Sequence, residues 1–274
     1  MKIIYTILIL IAFQTVNAQV NQEVLSLMTE SKIYFERKKY ADAFQKINEA
    51  LKIDNNNAEA YFIKAEIKFA LNDYEEALNN YELALKNKNP YSEALNGKIL
   101  SLSLLGKNKE AFNLAEDAIK KNPSDPNFYY SRGIIYNELE KYSKSIQDFD
   151  MALKLGDQNE FRIYLYRGVA YLNLEEYDNA MEDLNMAIEL DSKNASAYHS
   201  RGRVYYELRE YESAIKDFET SLDLNPNNEV AYYNLGMTYY RLEKMTEACK
   251  YFHESCGMKY KHACKMIVAE CSDQ

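Results

Sequence analysis

The chain has 274 residues, of which 47% are apolar and 27% charged, and its formal net charge at pH 7 is −9. That composition supports a continuous apolar core and excludes an intrinsically disordered chain. The acidic charge disfavours nucleic acid and anionic lipid as primary partners, because both require a basic surface. With only 8 Gly and 4 Pro, we expect long helices joined by short connections.

Residues 1–18 carry the pattern of a secretory signal peptide. Lys2 precedes an apolar run, and Val16, Asn17 and Ala18 form a small-residue cleavage site before Gln19. The run is too short for a stable membrane-spanning helix, so we expect no membrane span after cleavage. The alternative is an uncleaved N-terminal anchor. The pattern predicts an exported protein, either periplasmic or secreted.

A pattern of about 34 residues recurs through the rest of the chain. Its clearest marker is a small residue found once in every copy, at Ala43, Ala77, Ala111, Ser145, Ala180, Ala214 and Ala248. Seven units follow: 24–57, 58–91, 92–125, 126–160, 161–194, 195–228 and 229–262. The fourth unit has one extra residue, which we place in the turn at 156–159. A period this constant is typical of repeat architectures.

Each unit divides into two amphipathic segments separated by turn residues. In unit 195–228, Tyr198 and Val204 lie on the apolar stripe of the first segment, and Ala214 and Leu222 lie on that of the second. Clusters of Asn, Asp, Ser and Pro, such as 225–228, separate one unit from the next and predict turns and helix caps. The pattern therefore predicts a helix–turn–helix in every unit.

The unit resembles the tetratricopeptide repeat in the order and spacing of its characteristic residues, among them Tyr198, Gly202, Tyr205, Ala214, Phe218 and Pro226. The resemblance covers about residues 24–262. It implies an all-α fold, namely a right-handed α-solenoid of about seven repeats over residues 19–262. A C-terminal capping helix and tail are expected at 260–274. Terminal repeats are usually atypical, whereas the third repeat is unusual in carrying Ile99 where the others have a small residue.

Oppositely charged residues recur 16 positions apart, on the two helices of a repeat. The three arginine pairs are Arg132 with Asp148, Arg167 with Asp183, and Arg201 with Asp217. The first repeat reverses the signs, with Glu30 and Lys46. Because the signs change together, we predict structural ion pairs within each hairpin. The alternative is a row of arginines that faces a ligand.

All four cysteines lie near the C-terminus, and disulfides are expected in an exported chain. Cys249 and Cys256 are seven residues apart on one predicted helix, which is roughly 10 Å and too far for a bond. Cys264 and Cys271 have the same spacing on the last helix. An antiparallel return after Gly257, expected to be a left-handed helix cap, predicts the nested pairs Cys249–Cys271 and Cys256–Cys264.

A zinc site is the alternative interpretation of this region. The available ligands would be Cys249, Cys256, Cys264, His253 and His262. Their spacing matches no zinc-finger pattern, and exported thiols tend to oxidise. We therefore predict no metal and no cofactor.

The sequence contains no nucleotide-binding glycine loop, nucleophile elbow or metalloprotease motif. His199 stands alone among tyrosines, without a neighbouring nucleophile or orienting acid. The expectation is a protein without enzymatic activity.

In the tetratricopeptide-repeat family, the first helices line a concave groove that binds peptides or protein segments. Transferred to this sequence, the groove residues are Tyr130, Arg162, Leu165, Val169, His199, Arg203, Tyr206, Tyr233, Met237, Tyr240 and Arg241. Aromatic residues and Arg are common interface anchors, although several of these side chains are expected to pack against neighbouring helices instead.

The resemblance predicts a protein-binding scaffold or adaptor in the cell envelope, with a protein or peptide ligand and no nucleic acid. The alternative is a carbohydrate- or envelope-polymer-binding module, because tyrosine-rich grooves can stack sugars. A disulfide-linked cap would block end-to-end stacking, so we expect a monomer. The export pattern and the cysteine-bearing last helix resemble envelope proteins of Gram-negative bacteria.

Overall fold

The computed structural model describes residues 2–87, 92–157 and 160–271, with side chains described from residue 19 onward, and every regular element in these ranges is an α-helix. The chain divides into two compact units, Met1–Pro123 and Ser124–Gln274. Gln158 and Asn159, in the turn predicted to hold the extra residue of the fourth repeat, lie outside the described residues. The prediction of an all-α fold built of helical repeats is confirmed.

The first unit contains three helical hairpins. Its helices are α1 (Lys2–Glu36), α2 (Tyr40–Ile53), α3 (Ala58–Ala70), α4 (Tyr74–Asn87), α5 (Ser92–Leu104) and α6 (Asn108–Lys121). Each odd-numbered helix packs against the even-numbered helix that follows, and each hairpin packs against the next.

The second unit contains four hairpins and one additional helix. Its helices are α7 (Pro126–Glu138), α8 (Tyr142–Lys154), α9 (Glu160–Asn173), α10 (Tyr177–Leu190), α11 (Ala195–Glu207), α12 (Tyr211–Leu224), α13 (Glu229–Arg241), α14 (Met245–Gly257) and α15 (Lys261–Glu270). The first helices of successive hairpins also contact one another, α7 with α9, α9 with α11 and α11 with α13. These contacts place α11 and α13 side by side at the candidate site.

The turns within and between hairpins have different chemistry. Between hairpins, asparagine side chains cap the next helix, as when Asn194 accepts a hydrogen bond from the backbone N–H of Ala197. Within hairpins, one residue is left-handed, such as Glu175 with φ 62°. There the N–H of Glu176 donates to the carbonyl of Tyr171, which satisfies a helix-terminal acceptor. Both turns hold successive helices antiparallel at a short distance.

Close packing explains the small residue near the middle of most first helices. At Gly202, an added Cβ would lie 2.8 Å from the ring of Phe218, which is fully buried on α12. The third repeat has the opposite arrangement: Ile99 is fully buried, and the position 16 residues later carries Ala115 instead of an aromatic residue. A large residue on the first helix is therefore matched by a small one on the second.

Helix α1 continues through the residues predicted to form the signal peptide. Residues 19–23 are exposed, and Val24 is the first side chain buried in the core of the first unit. Among the side chains that are described, the first buried one is thus at the predicted start of the first repeat. Within the described part of the chain, no helix has both the length and the apolar character needed to cross a membrane.

Candidate functional site

A pocket of about 150 Å³ opens between α11 and α13. Helix α11 buries Ala197, Ser200 and Val204 on one face, which leaves His199 and Arg203 on the adjacent face. The complete lining of the pocket is Arg203, Tyr206, Glu207, Phe218, Tyr233, Asn234 and Met237. It combines apolar walls with a cationic, an anionic and an amide group, as in sites that bind one specific side chain.

Hydrogen bonds connect the two helices on both sides of the pocket. The side-chain nitrogen Nδ2 of Asn234 lies 2.9 Å from Nε2 of His199. Because an amide nitrogen only donates, Nε2 accepts and the ring proton of the neutral His199 lies on Nδ1. At the other side, Nε of Arg241 donates to the Tyr206 hydroxyl at 3.0 Å. These contacts fix the spacing of the two helices.

The histidine beside the pocket is neutral at pH 7. Burial and, to a smaller extent, the charge of Arg203 together lower the pKa of His199 to about 4. The imidazole ring also lies 5.7 Å from the Phe218 ring, centroid to centroid. His199 therefore lies beside the pocket without a charge, and Arg203 supplies the positive charge of the lining.

Two of the predicted groove residues are buried, which corrects their assignment as surface residues. Tyr130 is 4% exposed and packs against the rings of Phe149 and Tyr166, and Leu165 is 8% exposed. Burial also raises the pKa of Tyr130. The neighbouring Tyr166, 37% exposed, takes the surface position instead. Successive first helices cover these positions, so they stabilise the repeat.

The other two residues predicted in the fifth repeat have different environments. Arg162 is exposed, and its positive charge lies near enough to the Tyr130 hydroxyl to offset part of the effect of burial on the pKa of Tyr130. Val169 is half-buried and packs against the core cluster that contains Leu165. Of the four residues predicted in repeats four and five, only Arg162 presents its side chain fully to solvent.

The predicted groove residues on α13 contact the C-terminal cap. Tyr233, Met237 and Tyr240 pack against the buried cluster formed by α14 and Cys271. The Tyr233 ring lies 5.2 Å from that of Tyr260, in the turn before α15. The cap therefore supports one wall of the pocket.

Each predicted arginine pair has bidentate geometry in the structure. Arg167 donates from Nε and Nη2 to the two carboxylate oxygens of Asp183, both at 2.7 Å. The pairs Arg132–Asp148 and Arg201–Asp217 have distances of 2.7 and 2.8 Å. The reversed pair is also present, with Lys46 2.9 Å from Glu30.

Tyrosine rings flank each of these guanidinium groups. Arg167 lies 5.5 Å from the Tyr164 ring and 6.0 Å from the Tyr171 ring, and Arg201 is placed in the same way between Tyr198 and Tyr205. Arg167 is only 16% exposed. This enclosure favours a structural role over the alternative of a ligand-facing arginine row.

The cysteines pair in the nested order predicted from their spacing. The structure joins Cys249 to Cys271 and Cys256 to Cys264, with Cα–Cα distances of 5.8 and 4.8 Å. Pairing leaves no thiolate for the alternative zinc site, and no metal-binding cluster of His, Cys, Asp or Glu occurs within the described ranges. The predicted left-handed cap at Gly257 is wrong. Helix α14 continues through Gly257, and Lys259 is left-handed instead, with φ 70°.

Three pocket residues were missed from the sequence: Glu207, Phe218 and Asn234. Phe218 was identified only as a core residue, although it also lines the pocket. Asn234 follows the predicted Tyr233, and Glu207 is one helical turn after Arg203. Extending each predicted face by one position would have found the last two.

Profiles of known families match most of the chain in separate segments. The profile described as TPR repeat matches residues 173–209 and 202–243, and one described as Tetratricopeptide repeat matches 230–262. Further matches are to the anaphase-promoting complex, cyclosome, subunit 3 over residues 10–84 and to the TT21 fifth ARM repeats domain over 58–164.

One curated relative is tetratricopeptide repeat protein 16 of Macaca fascicularis, which is 25% identical over 127 residues, or 42% of this chain. The match spans only 15% of that protein. The match therefore supports the assignment of the repeat motif, and it says nothing about the activity of the longer protein.

Solved structures show the same fold. A tetratricopeptide repeat protein from Parabacteroides merdae has a TM-score of 0.64 at 20% identity, covering 90% of this chain and 99% of that one. Pseudomonas aeruginosa PilF gives 0.61 at 17% identity, covering 82% and 99%. The Cut9–Hcn1 assembly gives 0.73 at 18% identity, covering 82% of this chain and 45% of that one.

Proposed function

Because the chain is a tetratricopeptide-repeat protein, we propose that its second unit binds an extended segment of a partner protein across α11 and α13. Repeats of this family generally serve as non-enzymatic scaffolds, and stacked helical repeats present long binding surfaces. The observation that supports the proposal here is the open pocket between α11 and α13. Its apolar walls and few polar groups suit an inserted side chain.

Catalysis receives no support from the chemistry of this pocket. His199 is neutral, and its Nε2 is occupied by the amide of Asn234. Among the residues that the structure describes, the histidine makes no hydrogen bond to a hydroxyl, a thiol or a carboxylate that would make it part of a catalytic group. We therefore propose binding without chemical conversion of the ligand.

We also propose that the protein acts in the cell envelope after export. The support is the leader-like pattern at residues 1–18, the exposed segment 19–23 before the first buried residue, and the paired cysteines. Expression of the full chain in a Gram-negative host tests this proposal. A processed N-terminus at Gln19 in the periplasmic fraction is expected, and an intact Met1 in the cytosol would contradict export.

Peptide and glycan arrays on the purified protein test the binding class. We expect peptide signals that weaken when Arg203 is replaced by Gln and persist when Lys216 is replaced by Gln. Lys216 is a matched control, because it is exposed on α12 of the same repeat and carries the same charge. Signals confined to glycans would instead support the carbohydrate alternative.

Tyrosine packing makes that alternative less well supported. Many rings have their faces covered, as in the stack of Tyr239 on Tyr251 at 5.5 Å and 15°. A sugar needs a free aromatic face, whereas a peptide side chain needs a pocket. The second unit offers the pocket.

A further inference from the structure

We propose that the pocket between α11 and α13 selects an acidic side chain of the partner segment, with the Arg203 guanidinium binding its carboxylate. This inference rests on the proposed function, because it concerns the same site and names the chemistry of its ligand. The occupant is an Asp- or Glu-bearing segment of another protein. Arg203 is suited to the role because its planar guanidinium can bind a carboxylate through two hydrogen bonds.

The first argument is that Arg203 has no hydrogen-bond or ion-pair partner among the described residues, unlike Arg201 and Arg241. Arg201, two residues earlier, binds both oxygens of Asp217 and also the side-chain oxygen of Asn185. Arg241 donates to the Tyr206 hydroxyl. Arg203 is half-buried, yet it makes no hydrogen bond or ion pair with any residue in the described ranges. A half-buried cation without a counter-charge favours an anionic ligand.

The second argument concerns the other charges at the pocket. His199 is neutral at pH 7, so Arg203 is the cation of the lining. Glu207 is the anion of the lining, but its side chain is exposed, so water screens its charge. Glu207 also forms no ion pair with Arg203. A carboxylate inside the pocket would therefore meet the less screened positive charge.

The third argument is the size and polarity of the walls. The pocket volume of about 150 Å³ corresponds to about five water-sized groups, which is the number of non-hydrogen atoms in a glutamate side chain. Phe218, Tyr233 and Met237 supply apolar surface for its methylene groups. The walls and the guanidinium together match a short aliphatic stem that ends in an anion.

A peptide selection with charge variants tests this specificity. A library of random dodecapeptides displayed on phage is selected against the full chain and against R203Q, R203E and K216Q, after circular dichroism has shown that each variant is folded. The wild type and K216Q are expected to enrich Asp or Glu at one position. R203E is expected to enrich Lys or Arg there, because the charge of the pocket is reversed.

Calorimetry on one selected peptide then measures the contact itself. Changing its acidic residue to the amide is expected to weaken binding to the wild type at least ten-fold and to leave binding to R203Q unchanged. Peptides selected without an acidic position, or an equal loss in both proteins, would overturn the inference and leave the proposed function standing. If no variant selects any peptide, the proposed function itself fails.

Light scattering tests whether a second copy of this chain occupies the pocket instead. Dimers that form in the wild type and dissociate in R203Q would identify the occupant as another copy of this chain and overturn the assignment to a separate partner. A monomer in both proteins supports the assignment.

Discussion

Replacing Asp183 by Asn tests whether the arginine pairs hold each hairpin together. Asp183 is 5% exposed and accepts two hydrogen bonds from Arg167, so the substitution leaves a mostly buried guanidinium without its counter-charge. Breaking such a pair costs about 3–5 kcal/mol. After Asp183→Asn the only carboxylate contacting Arg167 among the described residues is that of Asp150, which is 53% exposed and compensates the buried charge weakly; we expect Asp150→Asn itself to cost less than about 1 kcal/mol.

Removal of both partners should cost far less than removal of one. Burial raises the pKa of Asp183 more than the hydrogen bonds and charge of Arg167 lower it, so desolvation opposes much of the attraction. We therefore expect the double variant R167M/D183L, which replaces both groups with apolar side chains, to lie within about 1–2 kcal/mol of the wild type. The pair would then specify the register of α9 against α10 more than it stabilises the fold.

Hydrogen exchange measured by mass spectrometry is the suitable assay, because repeat proteins can unfold in stages and a single global transition can hide a local change. Protection of the α9 and α10 amides gives the free energy of opening of that hairpin. Equal effects of D183N and D150N, or a double variant that costs the sum of its single substitutions, would refute the reasoning.

Four other perturbations have defined outcomes. Gly202→Ala places a Cβ 2.8 Å from the Phe218 ring and should lower the free energy of unfolding in urea by about 1–3 kcal/mol. Gly257→Ala is the control: its Cβ would have no atom within 4 Å, so the free energy of unfolding should not fall by this amount. Glu175→Gly relieves a left-handed backbone with φ 62° and should raise stability by roughly 1 kcal/mol; a lower melting temperature would contradict this. The pKa of His199 is about 4 in the folded state, below its usual 6.5, so the unfolded chain binds the extra proton. Stability should therefore fall by about 3 kcal/mol between pH 6.5 and 4, and His199→Gln should abolish that loss in a pH series of denaturation curves. Cys271→Ser opens a bridge of sequence separation 22 and should cost about 3 kcal/mol by calorimetry without reductant; an unchanged transition would show that the bridge does not form.

The hairpins could be predicted because their determinants repeat within the sequence. A glycine faces an aromatic ring 16 residues later, as at Gly202 and Phe218, and the charged pairs use the same interval. The third repeat follows this rule in reverse, since Ile99 accompanies Ala115. Its apparent irregularity is thus a compensated exchange of volume between two helices, and it was visible in the sequence once both positions were compared.

The exposure of individual groove residues could not be predicted in the same way. A helical period shows which residues share a face, but the neighbouring repeat determines how much of that face is covered. Tyr130 and Leu165 are covered, while Tyr166 is not. Tyr233 contacts Tyr260, which lies in the turn between α14 and α15, after the last hairpin has ended. These contacts are non-local and have no periodic signal.

The left-handed turn residues show a different limit of sequence analysis. Gly257 was the expected position because glycine adopts positive φ without strain, yet Lys259 adopts it, as do Glu140, Glu175 and Arg209 in other hairpins. Antiparallel packing of the two helices fixes the position of the turn, and the packed helices offset the local cost of about 1–2 kcal/mol. The point at which the helix ends therefore determines which residue adopts the left-handed conformation, more than the type of that residue does.

Arg201 and Arg203 are two residues apart on α11, yet the first has a structural role and the second lines the candidate binding pocket. Two residues on an α-helix differ by about 200° in direction, so the two side chains lie on nearly opposite faces of α11. Arg201 meets Asp217 on α12, and Arg203 meets the pocket shared with α13. Both arginines have an acidic residue 16 positions later, Asp217 after Arg201 and Glu219 after Arg203, so this spacing alone does not distinguish their roles. The contacts distinguish them: Arg201 binds Asp217, whereas Arg203 has no ion pair within the described residues and lines the pocket, where we propose that it binds a carboxylate of another molecule.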